Sequence, residues 1–195
     1  GAQENNWLGL PGEDLHGVYQ ANDIVFHYNC LPEKASQVFD LGTEIVIIGV
    51  GNVMLDILHY LKNEGKARNV TAFGRRGPTE VKFDRQTLEP VAQCLNLTQI
   101  RTAVDETLPQ AEKVGRDVSG FFELLQEARN KAPVCAPKLN YQMRFLRSPR
   151  RLLGDEHGRL RGIVFGINAL ERKGDRVVSE STGETEFIAA DTIIF

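Results

Sequence analysis

Two short stretches of this chain could handle a phosphorylated cofactor. The first is Ile45-Val46-Ile47-Ile48-Gly49-Val50-Gly51-Asn52-Val53-Met54-Leu55-Asp56, an apolar run that meets two glycines and then a helical pattern. Glycine at 49 and 51 permits a tight turn and lets backbone come close to a pyrophosphate. A helix opening near Asn52 aims free N–H groups and the positive end of its dipole at the same place. The second stretch is Phe73-Gly74-Arg75-Arg76-Gly77-Pro78. Arg75 and Arg76 follow Gly51 by about 24 residues, where a site for NAD(H) would place a carboxylate on the ribose hydroxyls. Two guanidinium groups offer planar, multi-donor bonding to a phosphate instead, which suits the 2′-phosphate of NADP(H). The bland alternatives are a glycine turn without a ligand and an exposed basic turn. Met54 stands where the strict fingerprint has Gly or Ala, so helix and strand are expected to pack less closely there. Asp56 fits dipole compensation in the first helical turns as well as it fits a cofactor contact.

These residues need a β-α-β frame, and the surrounding pattern supplies one. Glu44–Ile48 reads as a parallel strand buried on both faces. Val53, Leu55, Ile57, Leu58 and Leu61 give the apolar side of a helix ending near Gly65, and Val70–Phe73 gives the second strand. The unit spans about 30 residues, the length such a motif needs. Before it, residues 1–18 read as an extended connector and Val18 to Tyr28 as a short helix closed by Asn29 and Pro32. After it come a short helix and then a strand within Glu89–Ile100, a helical stretch over Glu106–Asn130, and a strand at Tyr141–Leu146 stopped by Ser148-Pro149. Gly162–Leu170, Arg176–Ser179, Thr185–Ile188 and Thr192–Phe195 read as short strands of an antiparallel meander that returns to the main sheet. The predicted fold is α/β: a Rossmann-like parallel sheet with flanking helices and an antiparallel β-meander.

Composition sets outer limits. With 195 residues, 42% of them hydrophobic, the chain can bury a real core as one domain with appendages. A net charge of −3 implies no general attraction to nucleic acid or anionic membrane. Cys30, Cys94 and Cys135 are odd in number and far apart, which predicts reduced thiols of an intracellular protein and neither a disulfide framework nor a metal site. No apolar run approaches the roughly 20 residues that span a bilayer. Lys138, Arg144, Arg147, Arg150, Arg151, Arg159 and Arg161 face only Asp155 and Glu156, which reads either as a docking surface for an acidic partner or as a solvated face. No Ser, Cys or Lys sits in a recognisable nucleophile motif, so no catalytic residue is assigned. The start without Met, and an end at Phe195 inside an apolar strand, predict an excised fragment.

Five stretches then occur in order: Leu10-Pro11-Gly12-Glu13, Tyr28-Asn29-Cys30-Leu31-Pro32-Glu33, the glycine run from Gly49 to Asp56, Gly74-Arg75-Arg76-Gly77-Pro78, and Arg144-Phe145-Leu146-Arg147-Ser148-Pro149. Together they resemble the NADP-binding domain of adrenodoxin reductase-type flavoproteins, the FAD-dependent ferredoxin–NADP reductases related to the small subunit of glutamate synthase. The resemblance covers nearly the whole chain. It implies an NADP domain inserted within an FAD domain, hydride passing from NADPH to FAD, and electrons leaving singly for a ferredoxin-like, acidic iron–sulfur protein. By position it lays Gly51, Asn52 and Val53 along the pyrophosphate and Arg75 and Arg76 on the 2′-phosphate. It makes Gly1-Ala2 the end of a strand leaving the FAD domain and Phe195 the strand returning to it. Residues 1–40 would then be a connector plus a short helix, and 41–195 the NADP(H)-binding domain, with FAD bound mainly outside. Such a chain is expected to bind NADP(H), hold no FAD and catalyse little alone. It belongs in the cytoplasm, or in the mitochondrial matrix of a eukaryote.

His27, Cys30 and Met54 depart from the Trp, Gly and Ala usual in the family. Thr87, with Glu89 nearby, replaces a Glu placed near the nicotinamide. The basic cluster that docks adrenodoxin in mitochondrial members falls near Lys113–Arg116. Two other readings stay open. One is an NADPH-oxidising small subunit of the glutamate synthase type, favoured by an N-terminal iron–sulfur module. The other is a non-catalytic NADP-binding or interaction module, favoured by a gene without an upstream FAD fingerprint.

Overall fold

The run Ile45-Val46-Ile47 explains the architecture, because a strand that is apolar at every position needs cover on both faces. Ile45 and Ile47 bury into one core with the helices, and Val46 buries into a second core with the antiparallel strands. A computed structural model of the chain describes residues 7–29, 38–81, 83–133 and 138–195. In order these form β1 (Val18–Tyr19), α1 (Ala21–Tyr28), β2 (Glu44–Ile48), α2 (Asn52–Glu64) and β3 (Asn69–Phe73). Then come α3 (Arg85–Leu88), α4 (Leu97–Asp105), α5 (Leu108–Lys113), α6 (Ser119–Lys131) and β4 (Asn140–Arg144). The chain closes with β5 (Arg147–Gly154), β6 (Leu160–Lys173), β7 (Arg176–Ala189) and β8 (Thr192–Ile194).

The parallel sheet has the order β1-β8-β2-β3-β4. From β2 the chain moves through α2 to β3 and then β4 on one side. On the other side of β2 lie β8 and β1. The strand order therefore reverses between β2 and β8, and a crevice at the carboxyl ends of such strands is where open α/β sheets bind ligands. Strands β5, β6 and β7 form the antiparallel meander that covers the second face. Phe73 of β3 stacks on Phe165 of β6 with ring centroids 4.2 Å apart, which joins the two sheets. The α/β fold, the parallel sheet and the meander are as the sequence predicts.

Several boundaries differ for identifiable reasons. Val18 and Tyr19 are strand rather than helix, because they pair with Ile193 and Ile194 of β8, far away in sequence. Residues 10–15 form turns docked on β5, with the Leu152 N–H donating to the Pro11 carbonyl at 2.9 Å, rather than an extended connector. The strand expected within Glu89–Ile100 is absent. Glu89–Cys94 is a 3-10 turn, and α4 starts at Leu97, where the Asn96 side chain accepts the Gln99 N–H at 3.0 Å. The stretch Glu106–Asn130 is two helices, broken where Gly115 takes a left-handed φ of 67°. Ser148-Pro149 lies inside β5 instead of ending a strand. β5 is an edge strand with a register shift between Pro149 and Arg151, so the missing proline N–H disrupts no central ladder. The predicted turn at Thr182-Gly183 is a bulge within the single strand β7.

Candidate functional site

At the end of β2, Gly49 takes a φ of 123°, a conformation that requires glycine, and its N–H donates to the Phe73 carbonyl at 2.9 Å. A Cβ at Gly49 or at Gly51 would meet nothing within 4 Å, so the turn presents bare backbone to open space. Gly51 is the N-cap of α2. It offers no side chain to that helix's first N–H groups, and no acidic residue stands in the first turn. Those donors are left for an anion. Asn52 and Val53 are exposed beside them. Asp56 lies one turn further along, exposed. Partial burial pushes its carboxyl above the usual range, opposed by His59.

Met54 is buried at the third fingerprint position, and the wholly buried Tyr141 hydroxyl of β4 donates to its sulfur. Burial pushes that phenol well above its usual pKa, so it is a neutral donor. The long thioether is thus absorbed within the core beneath α2. The Asn52 side chain accepts the Asp84 N–H at 2.9 Å and so ties the entry of α3 to the glycine turn. Thr87 sits half-buried in α3, and Glu89 follows it. His27, partly buried in the last turn of α1, packs edge-on against Phe39 and Tyr60. Tyr28 ends α1 and Asn29 caps it, while Cys30-Leu31-Pro32-Glu33 lie outside the described residues, as do Cys135 and Gly1-Ala2.

The arginine turn follows β3 and is fixed through its backbone. The Gly74 N–H donates to the Arg144 carbonyl at 2.8 Å, and the Arg147 N–H to the Gly74 carbonyl at 3.1 Å. The Arg75 carbonyl accepts from Asn168 Nδ2 at 3.2 Å and from Ser179 Oγ at 2.9 Å. A Cβ on Gly74 would approach Val50 Cγ2 to 3.0 Å and Phe145 Cδ1 to 3.3 Å, so glycine lets these pieces close together. The Arg144–Pro149 motif thereby positions the turn. Its two arginines carry no exposed charge for docking, since both bond to Glu186 at 2.8 Å. Burial raises the Glu186 pKa, but the hydrogen bonds and charges of Arg144 and Arg147 outweigh it and hold the carboxyl below the usual range.

The two arginines of the turn differ. Arg76 pairs with Glu80 at 3.3 Å, and the same carboxylate meets Arg116 at 3.7 Å. Arg75 is exposed, and its guanidinium makes no ion pair or hydrogen bond among the described residues. Arg116, expected in a partner-docking cluster, joins this group instead. Of the remaining basic stretch, Arg150 bonds Ser181 and Arg159 approaches Asp40. Between the ends of β2 and β8 opens a cavity of about 390 Å³, lined by Gln20, Asn22, Ile47, Gly49, Met54 and Phe195 among others. Among the described residues no group of three or more His, Cys, Asp and Glu could hold a metal, and no helix is long and apolar enough to cross a membrane.

The chain is 32% identical over 235 aligned residues to the mitochondrial NADPH:adrenodoxin oxidoreductase of Salvelinus fontinalis, covering 100% of this chain and 45% of that protein. It is 29% identical to the NADPH-ferredoxin reductase FprA of Mycobacterium tuberculosis, covering 100% of this chain and 47% of that one. The solved structure of that FprA in complex with NADPH superposes with a TM-score of 0.72 at 28% identity, again over 100% of this chain and 47% of the other. The chain is a homologue of the adrenodoxin reductase-type oxidoreductases. No family model matches it. It spans about half the length of the curated adrenodoxin reductase-type relatives it matches.

Of the six sequence-predicted site residues, the fold places Gly49, Gly51, Asn52 and Val53 on one turn and Arg75 and Arg76 on the next, at the same edge of adjacent strands. Sequence reasoning missed Glu80, Asn168, Ser179 and Gln20. Asn168 left a trace, as a lone amide inside the apolar pattern of β6. The other three carry no local signal.

Proposed function

We propose that this chain binds NADP(H), with the pyrophosphate on the glycine turn and α2 and the 2′-phosphate on Arg75 and Arg76. The observation that carries this reading is Arg75, a guanidinium without a partner among the described residues, on a turn held through its backbone at the carboxyl end of β3. The residues fit the ligand. Gly49 and Gly51 leave space where a Cβ would stand, the first N–H groups of α2 lack a cap, and Gly49, Gly51, Asn52 and Val53 line the adjoining cavity. Residues 41–195 form the binding domain on this reading, and residues 1–40 connect it to an FAD-binding part outside this sequence.

When bound, NADPH supplies a hydride, and this chain's work is to hold and orient it. Preorganised donors reduce the ordering cost of binding. In the whole protein an FAD held outside this sequence would supply the hydride acceptor, and a ferredoxin-like iron–sulfur protein would be the electron-accepting partner. The Salvelinus relative is mitochondrial by name, and the mitochondrial matrix or the cytoplasm is the compartment we assign. Calorimetry tests the binding step. NADP⁺ should bind at least about tenfold more tightly than NAD⁺, a difference of about 1.4 kcal/mol. Equal affinities would overturn the 2′-phosphate assignment.

A further inference from the structure

Gln20 is 4% exposed, and its Nε2 finds no hydrogen-bond partner among the described residues. A buried amide donor without a partner is costly, so native proteins seldom keep one idle. Gln20 also has no local duty. It is the N-cap of α1, yet its side chain makes no capping bond; the Asp23 N–H turns to the Gln20 backbone carbonyl at 3.2 Å instead. The Ala21 N–H is satisfied by the Phe195 carbonyl at 2.7 Å. What Gln20 does line is the cavity between β2 and β8.

That position has a meaning once the dinucleotide is laid out, and the argument rests on the NADP(H) reading above. With the pyrophosphate on the β2–α2 turn and the adenosine phosphate on the β3 side, the other nucleoside must fall across the reversal point, on the β8 and β1 side. Gln20 follows β1 directly. The cavity there holds about 390 Å³, enough for a flat ring of this size, with Ile47, Ile57 and Phe195 in its walls. Apolar walls with a buried, unpartnered amide donor, beside the more exposed amides of Asn22 and Asn52, match a nicotinamide, whose ring is flat and whose carboxamide oxygen accepts a hydrogen bond.

We propose that Gln20 Nε2 donates to the carboxamide oxygen of the bound nicotinamide, which makes Gln20 a positioning residue for the reactive ring. Calorimetry with NADP⁺ and with 2′,5′-ADP, which lacks the nicotinamide nucleoside, separates this contact from the arginine turn. Gln20→Leu and Gln20→Met should weaken NADP⁺ about five- to tenfold, as expected for one buried hydrogen bond, and leave 2′,5′-ADP within about twofold. Gln20→Glu, which replaces the donor by an acceptor, should weaken NADP⁺ further. Both apolar variants should melt at or above the wild-type temperature, because an idle buried donor has been removed. Unchanged NADP⁺ affinity, or equal losses for both ligands, would overturn the proposal. Failure of 2′,5′-ADP to bind the wild-type chain, with NADP⁺ still sensitive to Gln20, would instead overturn the arginine assignment and keep this one.

Discussion

The two flanks of β2 are built on opposite principles. On the β3 side, Gly74, Arg75 and Arg76 are bonded through their backbone to β4, β5, β6 and β7, and the buried Asn168 amide donates to both the Arg75 carbonyl and the Ser148 hydroxyl. On the β8 side, Gln20 is an equally buried amide whose donor finds no partner among the described residues, at the edge of a cavity. One flank completes its polar groups internally and presents charge outward. The other leaves a polar group incomplete and waits for a ligand to complete it. Buried amides of the same type thus report different things, and satisfaction decides which.

The contrast gives its largest test when both amides are removed. Asn168→Leu leaves the Arg75 carbonyl and the Ser148 hydroxyl short of a donor and should cost about 1–3 kcal/mol in urea unfolding. Gln20→Leu should cost nothing or stabilise. Equal destabilisation by both would erase the distinction between the flanks. Asn168→Leu should also weaken NADP⁺, although Asn168 touches no ligand on this account, because the turn beneath Arg75 loosens.

Next in size is the split between the two arginines. Arg75→Ala should weaken NADP⁺ by about tenfold, or about 1.4 kcal/mol, with little change for NAD⁺. Arg76→Ala should cost less, since Glu80 already engages Arg76. A larger loss from Arg76 would reverse the roles. Glu80→Gln sharpens the same point from the other direction. It frees Arg76 and Arg116 from a carboxylate, and NADP⁺ should tighten by about 0.5 kcal/mol, within the range of a partly exposed pair. Weaker binding in that variant would make Glu80 a support rather than a competitor.

The smallest effect concerns pH. The folded Glu186 carboxyl titrates below its unfolded value of about 4.3, so its contribution is fully present above that pH and is lost as pH falls through the folded value. Stability measured by urea unfolding should therefore fall as the pH drops below about 4.3 in the wild type, and by less in Glu186→Gln. Parallel curves would detach Glu186 from the acid limb.

The chemistry of the β2–β3 flank was legible because it is local. A glycine pair after an apolar strand, and arginines after the next strand, read the same in sequence and in space. Gly65 closes α2 in the left-handed conformation that its position suggests. The β8 flank was hidden because it is made by distant pairing. β1 has two residues and exists through its register with Ile193 and Ile194, so Val18 and Tyr19 read as the start of a helix. Gln20 became meaningful only when β8 arrived beside it. Thr182-Gly183 misled in another way, since glycine serves bulges as well as turns. Met54, expected to make α2 and the strand pack less closely, is buried where Tyr141 reaches it from β4, a contact that no local window contains.

The central claim, that the arginine turn holds the 2′-phosphate, is tested most directly by ³¹P NMR of NADP⁺ bound to this chain. A free phosphate monoester has its second pKa at about 6. Held by Arg75 and Arg76, the 2′-phosphate signal should shift on binding and titrate well below that value, and Arg75→Ala with Arg76→Ala should restore the free midpoint while the pyrophosphate signals remain shifted. A bound 2′-phosphate that titrates like the free nucleotide in the wild-type chain, with only the pyrophosphate signals moved, would contradict the account.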